Sequence, residues 1–214
     1  MKERLRAYMS GALTGLNDEA RQRQLERYEL IQRTCAAEGY DCYCPHQHSD
    51  PVRDQHMTPA EVHQLDSTNV RNSDLIIADC TEPSFGVGIE AQMADEDETP
   101  ILLIAQQGKK VSRLIRGIPN VVKFGSDADM IIFPNDQVLA RRLSEELRAL
   151  RPRFVEGRRR RIEQAASVAA LAEYAQTRKI THDRYCQLEA AIAAVGAKRP
   201  TTVQEWAQLD QELD

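Results

Sequence analysis

Short apolar runs alternate with helix-forming segments through residues 4–151, and this alternation restricts the fold more than any other feature. DLIIADC (74–80) and PILLIAQ (100–106) are almost wholly apolar, which is typical of strands buried on both faces of a parallel sheet. Strand, helix, strand order implies parallel pairs joined by right-handed crossovers. We therefore predict an α/β fold with a doubly wound, mainly parallel, five-stranded sheet.

The remaining elements follow from the same patterns. Further strands are predicted at RLRAYMS (4–10), at YDCYC (40–44) and in one or both of NVVKFG (120–125) and ADMIIFP (128–134). Helices are predicted from Asn17 or Asp18 to about Glu38, ended by Gly39, and from Thr58-Pro59 to about Asn72. A short helix is expected in VSRLIRG (111–117), and a closing helix from Asp136 to Arg151. The polar loop 45–59 is long enough to suggest a function or disorder.

The pattern changes after Arg151-Pro152, where two alanine-rich helical segments and a polar tail replace the strands. We predict a catalytic domain at 1–152 and a helical extension at 153–214, which serves packing, oligomerisation or partner binding. We interpret the basic run 158–161 as the solvent-exposed start of a helix rather than as a phosphate-binding site.

Composition narrows the functional classes. With 214 residues and a net charge of −5, general nucleic-acid binding is not indicated. The N-terminus does not resemble a secretory signal, and no run approaches the roughly 18 apolar residues that a membrane helix needs. Five cysteines without an export signal predict reduced thiols in the cytoplasm. The cluster CYCPHQH (42–48) does not have a recurrent zinc-site spacing, so neither a metal nor an organic cofactor is expected.

The segment PSFGVGIEAQMA (83–94) is the strongest functional signal. It follows a predicted strand, so Pro83–Gly88 is expected to cross from strand to helix, with Glu90 in the first helical turn. Open α/β sheets bind ligands at such crossings. Three interpretations compete: Glu90 as a favourable charge at the helix start, the glycines as a phosphate cradle, or Glu90 as an ionised carboxylate nucleophile.

Other polar residues cluster at the predicted strand ends: Tyr8, Gly11, Asp79 and Ser84. Asp66 precedes Glu90 on the helix before the third strand. Two carboxylates whose surroundings separate their pKa values suit N-glycosidic cleavage, where one attacks and the other protonates the leaving group. Most of these residues also have a structural interpretation: Tyr8 as core, Asp66 as an exposed helical residue, Asp79 as a backbone hydrogen-bond acceptor, and Ser84 and Ser112 as turn or cap residues.

TEPSFGVGIE (81–90), with Asp66 upstream, VSRLIRG downstream and YMSGALTG (8–15) at the start, resembles the 2′-deoxynucleoside 5′-monophosphate N-glycosidases. These belong to the nucleoside 2-deoxyribosyltransferase superfamily. The resemblance spans about residues 4–150 and implies a Rossmann-like fold. It also implies Glu90 as nucleophile, Asp66 as acid, Tyr8 beside the nucleophile and Gly11 as a tight turn under the sugar.

The same resemblance implies a 5′-phosphate cradle formed by Ser84 and the amides of Gly86 and Gly88. Ser112 would reach the phosphate of a neighbouring subunit, which implies a homodimer. Thr14 stands where the monophosphate enzymes commonly carry an arginine. The missing charge predicts relaxed phosphate selectivity, and Arg116 is a candidate to compensate.

The predicted function is hydrolysis of the N-glycosidic bond of a nucleoside or nucleoside 5′-monophosphate. Transfer of deoxyribose between bases is a close alternative. A nucleotide-binding sensor or effector, whose helical tail binds a partner, is a second class.

Overall fold

The computed structural model describes residues 4–123, 129–195 and 199–213. Its central sheet contains five strands, all parallel, in the order β2-β1-β3-β4-β5. They are β1 (Leu5–Gly11), β2 (Tyr40–Tyr43), β3 (Leu75–Asp79), β4 (Ile101–Gln106) and β5 (Ile131–Phe133). The predicted α/β class and parallel five-stranded sheet are confirmed. Because the chain reverses its winding direction between β1 and β3, the ligand crevice of such a sheet is expected at their carboxyl ends.

Seven α-helices connect or follow the strands in the described part of the chain: α1 (Asp18–Ala37), α2 (Pro59–Arg71), α3 (Phe85–Glu96), α4 (Arg113–Arg116), α5 (Asp136–Arg178), α6 (His182–Val195) and α7 (Val203–Glu212). A short 3-10 helix, Pro45–Gln47, follows β2. Asn17 caps α1 by accepting from the Ala20 amide at 2.8 Å. Thr58 and Glu61 form a capping box at the start of α2. Local polar signals therefore start both helices where the sequence places them.

Apolar side chains cover both faces of the sheet. One cluster packs β-strand residues such as Leu5, Met9 and Ile77 with residues of α1 and α5. The other packs Tyr8, Ile76 and residues of α2 and α3 on the opposite face. Because side chains alternate along a strand, Tyr8 and Ser10 share the face that α3 covers.

Three predictions about the helices are wrong. Helix α5 does not end at Arg151 but continues to Arg178 with Pro152 inside it. Leu147 and Phe154 are both fully buried. The free energy gained by burying them offsets the cost of the backbone hydrogen bond that is lost at Pro152. The polar tail forms helix α7, because Thr202 and Glu205 make a capping box and Trp206 is buried.

The third wrong prediction is the start of α3. This helix begins at Phe85 rather than after Gly88. Ser84 caps it by accepting from the Val87 amide at 3.4 Å. Of the predicted strand NVVKFG, Val121 makes an isolated parallel bridge to Ile101. Residues 124–125 of that prediction lie outside the described residues.

Two compact units divide the chain, Met1–Val155 and Glu156–Asp214. The first holds the sheet. The second has a small core of its own, formed by Ala170, Leu171, Tyr174, Leu188, Ile192 and Trp206. No helix within the described ranges is long and apolar enough to span a bilayer.

Candidate active site

The carboxylate of Glu90 is held by two hydroxyl groups of strand β1. Tyr8 Oη donates to Glu90 Oε1 at 2.7 Å, and Ser10 Oγ donates to Glu90 Oε2. Each carboxylate oxygen therefore has its own donor. The cluster lies where β1 and β3 run side by side, with Ser10 opposite Ala78, close to the predicted crevice.

Glu90 is the sixth residue of α3 and lies in its second turn. The prediction that it occupies the first turn is wrong, because the glycines are helical rather than part of the preceding loop. The helix dipole weakens beyond the first turn. Burial raises the pKa of Glu90 to about 7, the nearby charge of Asp66 also raises it, and the hydroxyls of Ser10 and Tyr8 oppose the rise. Burial therefore opposes the ionised state of Glu90, which the predicted position in the first turn was expected to favour.

Asp66 lies on α2, close enough to Glu90 for its charge to affect the pKa of that carboxyl. Its Oδ1 atom is buried and has no hydrogen-bond partner within the described residues. Burial raises the pKa of Asp66, and neighbouring Ser49 and Tyr8 oppose the rise. Sequence spacing could not show that the two carboxylates are near each other, but in the structure both lie beside Tyr8.

An aromatic stack extends from Tyr8 toward the edge of the sheet. The Tyr8 and Tyr43 rings stack with centroids 5.5 Å apart, and Tyr43 stacks on His48 at 4.6 Å. The pKa of Tyr8 is raised, first by burial and then by the charge of Glu90, so its hydroxyl stays protonated and remains a donor. Tyr43 Oη is buried without a partner among the described residues.

Gly11 and Asp79 are paired in register at the carboxyl ends of β1 and β3. A Cβ atom on Gly11 would lie 2.0 Å from Tyr28 Oη, so the glycine makes room for that ring. Asp79 is fully buried and accepts from the Thr81 amide at 2.9 Å. It also pairs with Arg27 at 3.4 Å. The side chain of Asp79 thus supports the loop that precedes α3, in line with its structural interpretation.

The start of α3 leaves open space beside the site. A Cβ atom on Gly88 would meet nothing within 4 Å, and one on Gly86 would meet only Ser84 Oγ at 3.5 Å. Neither glycine has a positive φ. Their lack of side chains is therefore not required by the backbone, and it leaves the helix N-terminus accessible to an anion.

The remaining predicted residues are Thr14, Ser112 and Arg116. Thr14 is exposed in the loop after β1. Ser112 is exposed and caps α4 by accepting from the Leu114 amide at 3.2 Å. Arg116 Nε donates to Asp129 Oδ2 at 2.7 Å, so its charge is already paired. The structure does not bring these three residues into contact with Glu90.

Ser10 and Tyr43 were missed by sequence reasoning. Ser10 stands two residues after Tyr8 on a strand, a spacing that places both on one face, and this signal could have identified it. Tyr43 could not have been found in this way, because its contact depends on the pairing of β2 with β1. Among the described residues, no cluster of three or more His, Cys, Asp or Glu side chains is arranged to hold a metal ion.

Comparison with known proteins supports the resemblance. The chain is 33% identical over 70 residues to a 5-hydroxymethyl-dUMP N-hydrolase of Tetraodon nigroviridis, a match that covers 31% of this chain and 49% of that protein. It is 35% identical over 65 residues to the Mus musculus 5-hydroxymethyl-dUMP N-hydrolase, covering 29% of this chain and 38% of the relative. The chain is similar to 5-hydroxymethyl-dUMP N-hydrolases. The resemblance predicted from the sequence is thereby confirmed.

Each of these two matches spans less than half of the relative's length. No protein-family model matches the chain. Among solved structures, the solution structure of BlsM superposes with a TM-score of 0.53 at 15% identity, covering 70% of this chain and 93% of that chain. This likeness supports the fold.

Proposed function

We propose that the protein hydrolyses the N-glycosidic bond of a nucleoside or deoxynucleoside 5′-monophosphate. The observation that carries the proposal is the Glu90 carboxylate, held by Tyr8 and Ser10 with Asp66 nearby. Similarity to proteins named as N-hydrolases supports the same reaction class.

In the first step, an oxygen of ionised Glu90 attacks C1′ of the sugar. The C1′–N bond breaks with its electron pair going to the base, and the Asp66 carboxyl donates a proton to the base. A base placed over Asp66 would bury this carboxyl further and raise its pKa. Binding would thus favour the protonated donor, which in turn removes a negative charge from beside Glu90 and favours its ionisation.

In the second step, water attacks C1′ of the glycosyl ester, and Asp66 accepts a proton from it. The C1′–O bond to Glu90 breaks and the carboxylate is regenerated, so the net products are free base and sugar or sugar phosphate. Tyr8 and Ser10 stabilise the leaving carboxylate. The chain's own residues carry both steps, and no metal or organic cofactor is part of the proposal.

A 5′-phosphate would bind at the N-terminus of α3, beside Ser84, Gly86 and Gly88. Exposed backbone amides and the helix dipole favour an anion there. Thr14 and Arg116 remain candidates for the outer part of this subsite, and Ser112 is proposed to approach it from a second copy of the chain. The preference for a phosphate is therefore assigned mainly to backbone groups.

A homodimer is part of this proposal. Phe85 and Leu114 are 96% and 86% exposed, and Ile89, one turn after Phe85 on α3, is 53% exposed. Large apolar side chains left in solvent are suited to contact with a second copy. We also propose a cytoplasmic location, supported by five cysteines that form no disulfide in the described structure.

A chromatographic screen of common and 5-modified nucleosides and their 5′-monophosphates tests the function. We expect free base from the wild-type protein and none from Glu90→Ala. An added acceptor base distinguishes transfer, because a new nucleoside would form in place of free sugar. Absence of base release from every substrate, with and without acceptor, would contradict both hydrolysis and transfer.

A further inference from the structure

We propose that Ser10 is a positioning residue that fixes the orientation and favours the ionised state of the Glu90 carboxylate. The inference rests on the proposed function for its chemical meaning, but not for its test. Ser10 lies at the carboxyl end of β1 with no exposed surface, and its hydroxyl donates to Glu90 Oε2.

Two separate donors restrict the carboxylate more than one donor does. Rotation about the terminal bond of a glutamate is broad, and the Tyr8 bond to Oε1 leaves the other oxygen free to move. The Ser10 bond to Oε2 fixes the plane of the group, since the two donors come from the same strand face. A nucleophile held in one orientation loses less entropy on approaching C1′.

Both hydroxyls stay protonated and remain hydrogen-bond partners of Glu90. The pKa of Tyr8 is raised by burial, so this phenol keeps its proton. A serine hydroxyl rotates and is able either to donate to an ionised carboxylate or to accept from a protonated one. Ser10 therefore remains a partner of Glu90 in both charge states and stabilises the ionised state by donating.

The surroundings of Glu90 leave few other groups to assist ionisation. Among the described residues, the titratable groups that interact with it are Tyr8 on β1, Tyr28 on α1, Tyr43 on β2 and Asp66 on α2. None of these is a cation, and the negative charge of Asp66 opposes ionisation of Glu90. The hydroxyl donors, of which Ser10 is one, are thus the groups that counteract burial.

Carbon-13 NMR of protein labelled at the glutamate side-chain carboxyl tests this role without any substrate. The Glu90 resonance is assigned by its absence in Glu90→Gln. We expect Ser10→Ala to raise the pKa of Glu90 from about 7 by roughly one, as loss of a hydrogen bond to a charged group predicts. Ser10→Thr, which keeps the hydroxyl, should restore a value near that of the wild type.

Ser73→Ala is the matched control, because Ser73 is also buried and its hydroxyl donates to the Asn69 carbonyl at 2.7 Å. It should leave the Glu90 titration unchanged. A folded Ser10→Ala protein with an unchanged Glu90 pKa would overturn the inference. Because the titration needs no turnover, failure of the proposed function would leave this result intact and separately readable.

Kinetics then provide a second readout. In Ser10→Ala, the acid limb of the kcat/KM profile should move upward by about the same amount as the NMR titration, lowering kcat/KM at pH 7 about fivefold. A uniform loss at every pH with no movement of the limb would indicate a packing role only, and would also overturn the inference.

Discussion

Tyr8 and Glu90 lie 82 positions apart in the chain, yet the phenol of the first donates to the carboxylate of the second at 2.7 Å. The contact joins the first strand of the sheet to the helix that follows the third. It places a donor that cannot readily ionise against a half-buried carboxylate, beside a second acid, Asp66. This arrangement connects the fold to the proposed chemistry.

Tyr8→Phe should lower kcat about 10- to 100-fold, because one charge-assisted hydrogen bond to the nucleophile is lost. The ring and its stacking on Tyr43 are retained, so the thermal midpoint should change little. Steady-state kinetics with a matched melting curve check this. An unchanged kcat would show that the Tyr8 hydroxyl has no part in the reaction.

The pH dependence of kcat/KM should follow ionisation of Glu90. Activity is expected to rise with pH through about 7, the pKa to which burial raises this group. A profile already flat from pH 5 upward would contradict a nucleophile with a raised pKa.

Glu90→Gln should abolish activity and stabilise the fold above pH 7. The folded-state pKa of Glu90 exceeds its ordinary value of 4.5, so the folded protein binds this proton more tightly than the unfolded chain does. The stabilisation of the folded state by this proton is present in full below pH 4.5 and is lost as the pH rises through 7. That loss in the free energy of unfolding is on the order of 3 kcal/mol, and the neutral side-chain amide of Glu90→Gln should recover a part of it. Denaturant unfolding at pH 5 and pH 8 measures the difference, and an equal effect at both would contradict it.

Asp66→Asn should slow release of ordinary bases about 100-fold or more while sparing a substrate whose base leaves without protonation. A 7-methylated purine nucleotide is a suitable probe if the purine parent is accepted. Similar losses for parent and methylated substrates would assign Asp66 to binding rather than to proton donation.

Gly11→Ala and Gly88→Ala form a pair with opposite expectations. Alanine at position 11 would meet Tyr28 Oη and should destabilise the fold by about 1–3 kcal/mol. Alanine at position 88 meets open space in a helix and should preserve or slightly increase stability. It should raise KM for a 5′-monophosphate but not for the corresponding nucleoside. Equal changes in both KM values would place the phosphate elsewhere.

Phe85→Glu should convert a homodimer to a monomer, because a charge would replace an apolar side chain that is almost fully exposed in one copy. Sedimentation of wild type and variant measures this. Val52→Glu, which changes another exposed apolar residue that is not part of α3, is the control. A wild-type protein that sediments as a monomer would contradict the proposal.

The sequence was informative wherever a local pattern decides the structure. Apolar runs such as 74–80 predicted the buried strands, and Asn17 and Thr58 predicted two helix starts. It failed where tertiary packing overrides a local signal. Pro152 lies inside α5, and the glycines at 86 and 88 read as a turn although Ser84 caps a helix that includes them.

Prediction of the candidate site was limited in the same way. Residue type and the family resemblance identified Glu90 and Tyr8 as site residues. Their contact, however, depends on the packing of α3 against β1. The raised pKa of Glu90 depends on burial and on the proximity of Asp66, and sequence spacing shows neither. The spacing of Ser10 from Tyr8 places it on the same strand face, but its contact with Glu90 depends on the position of α3.

Covalent trapping with a 2′-fluoro-substituted deoxynucleoside 5′-monophosphate tests the central role of Glu90 most directly. Fluorine at C2′ disfavours the oxocarbenium-like states, so the glycosyl ester should persist long enough for intact-mass measurement and peptide mapping. The proposed mechanism predicts one fluorinated sugar phosphate per chain, attached to the peptide that contains Glu90, and none on Glu90→Gln. Release of the base with no adduct, or an adduct on another residue, would contradict it.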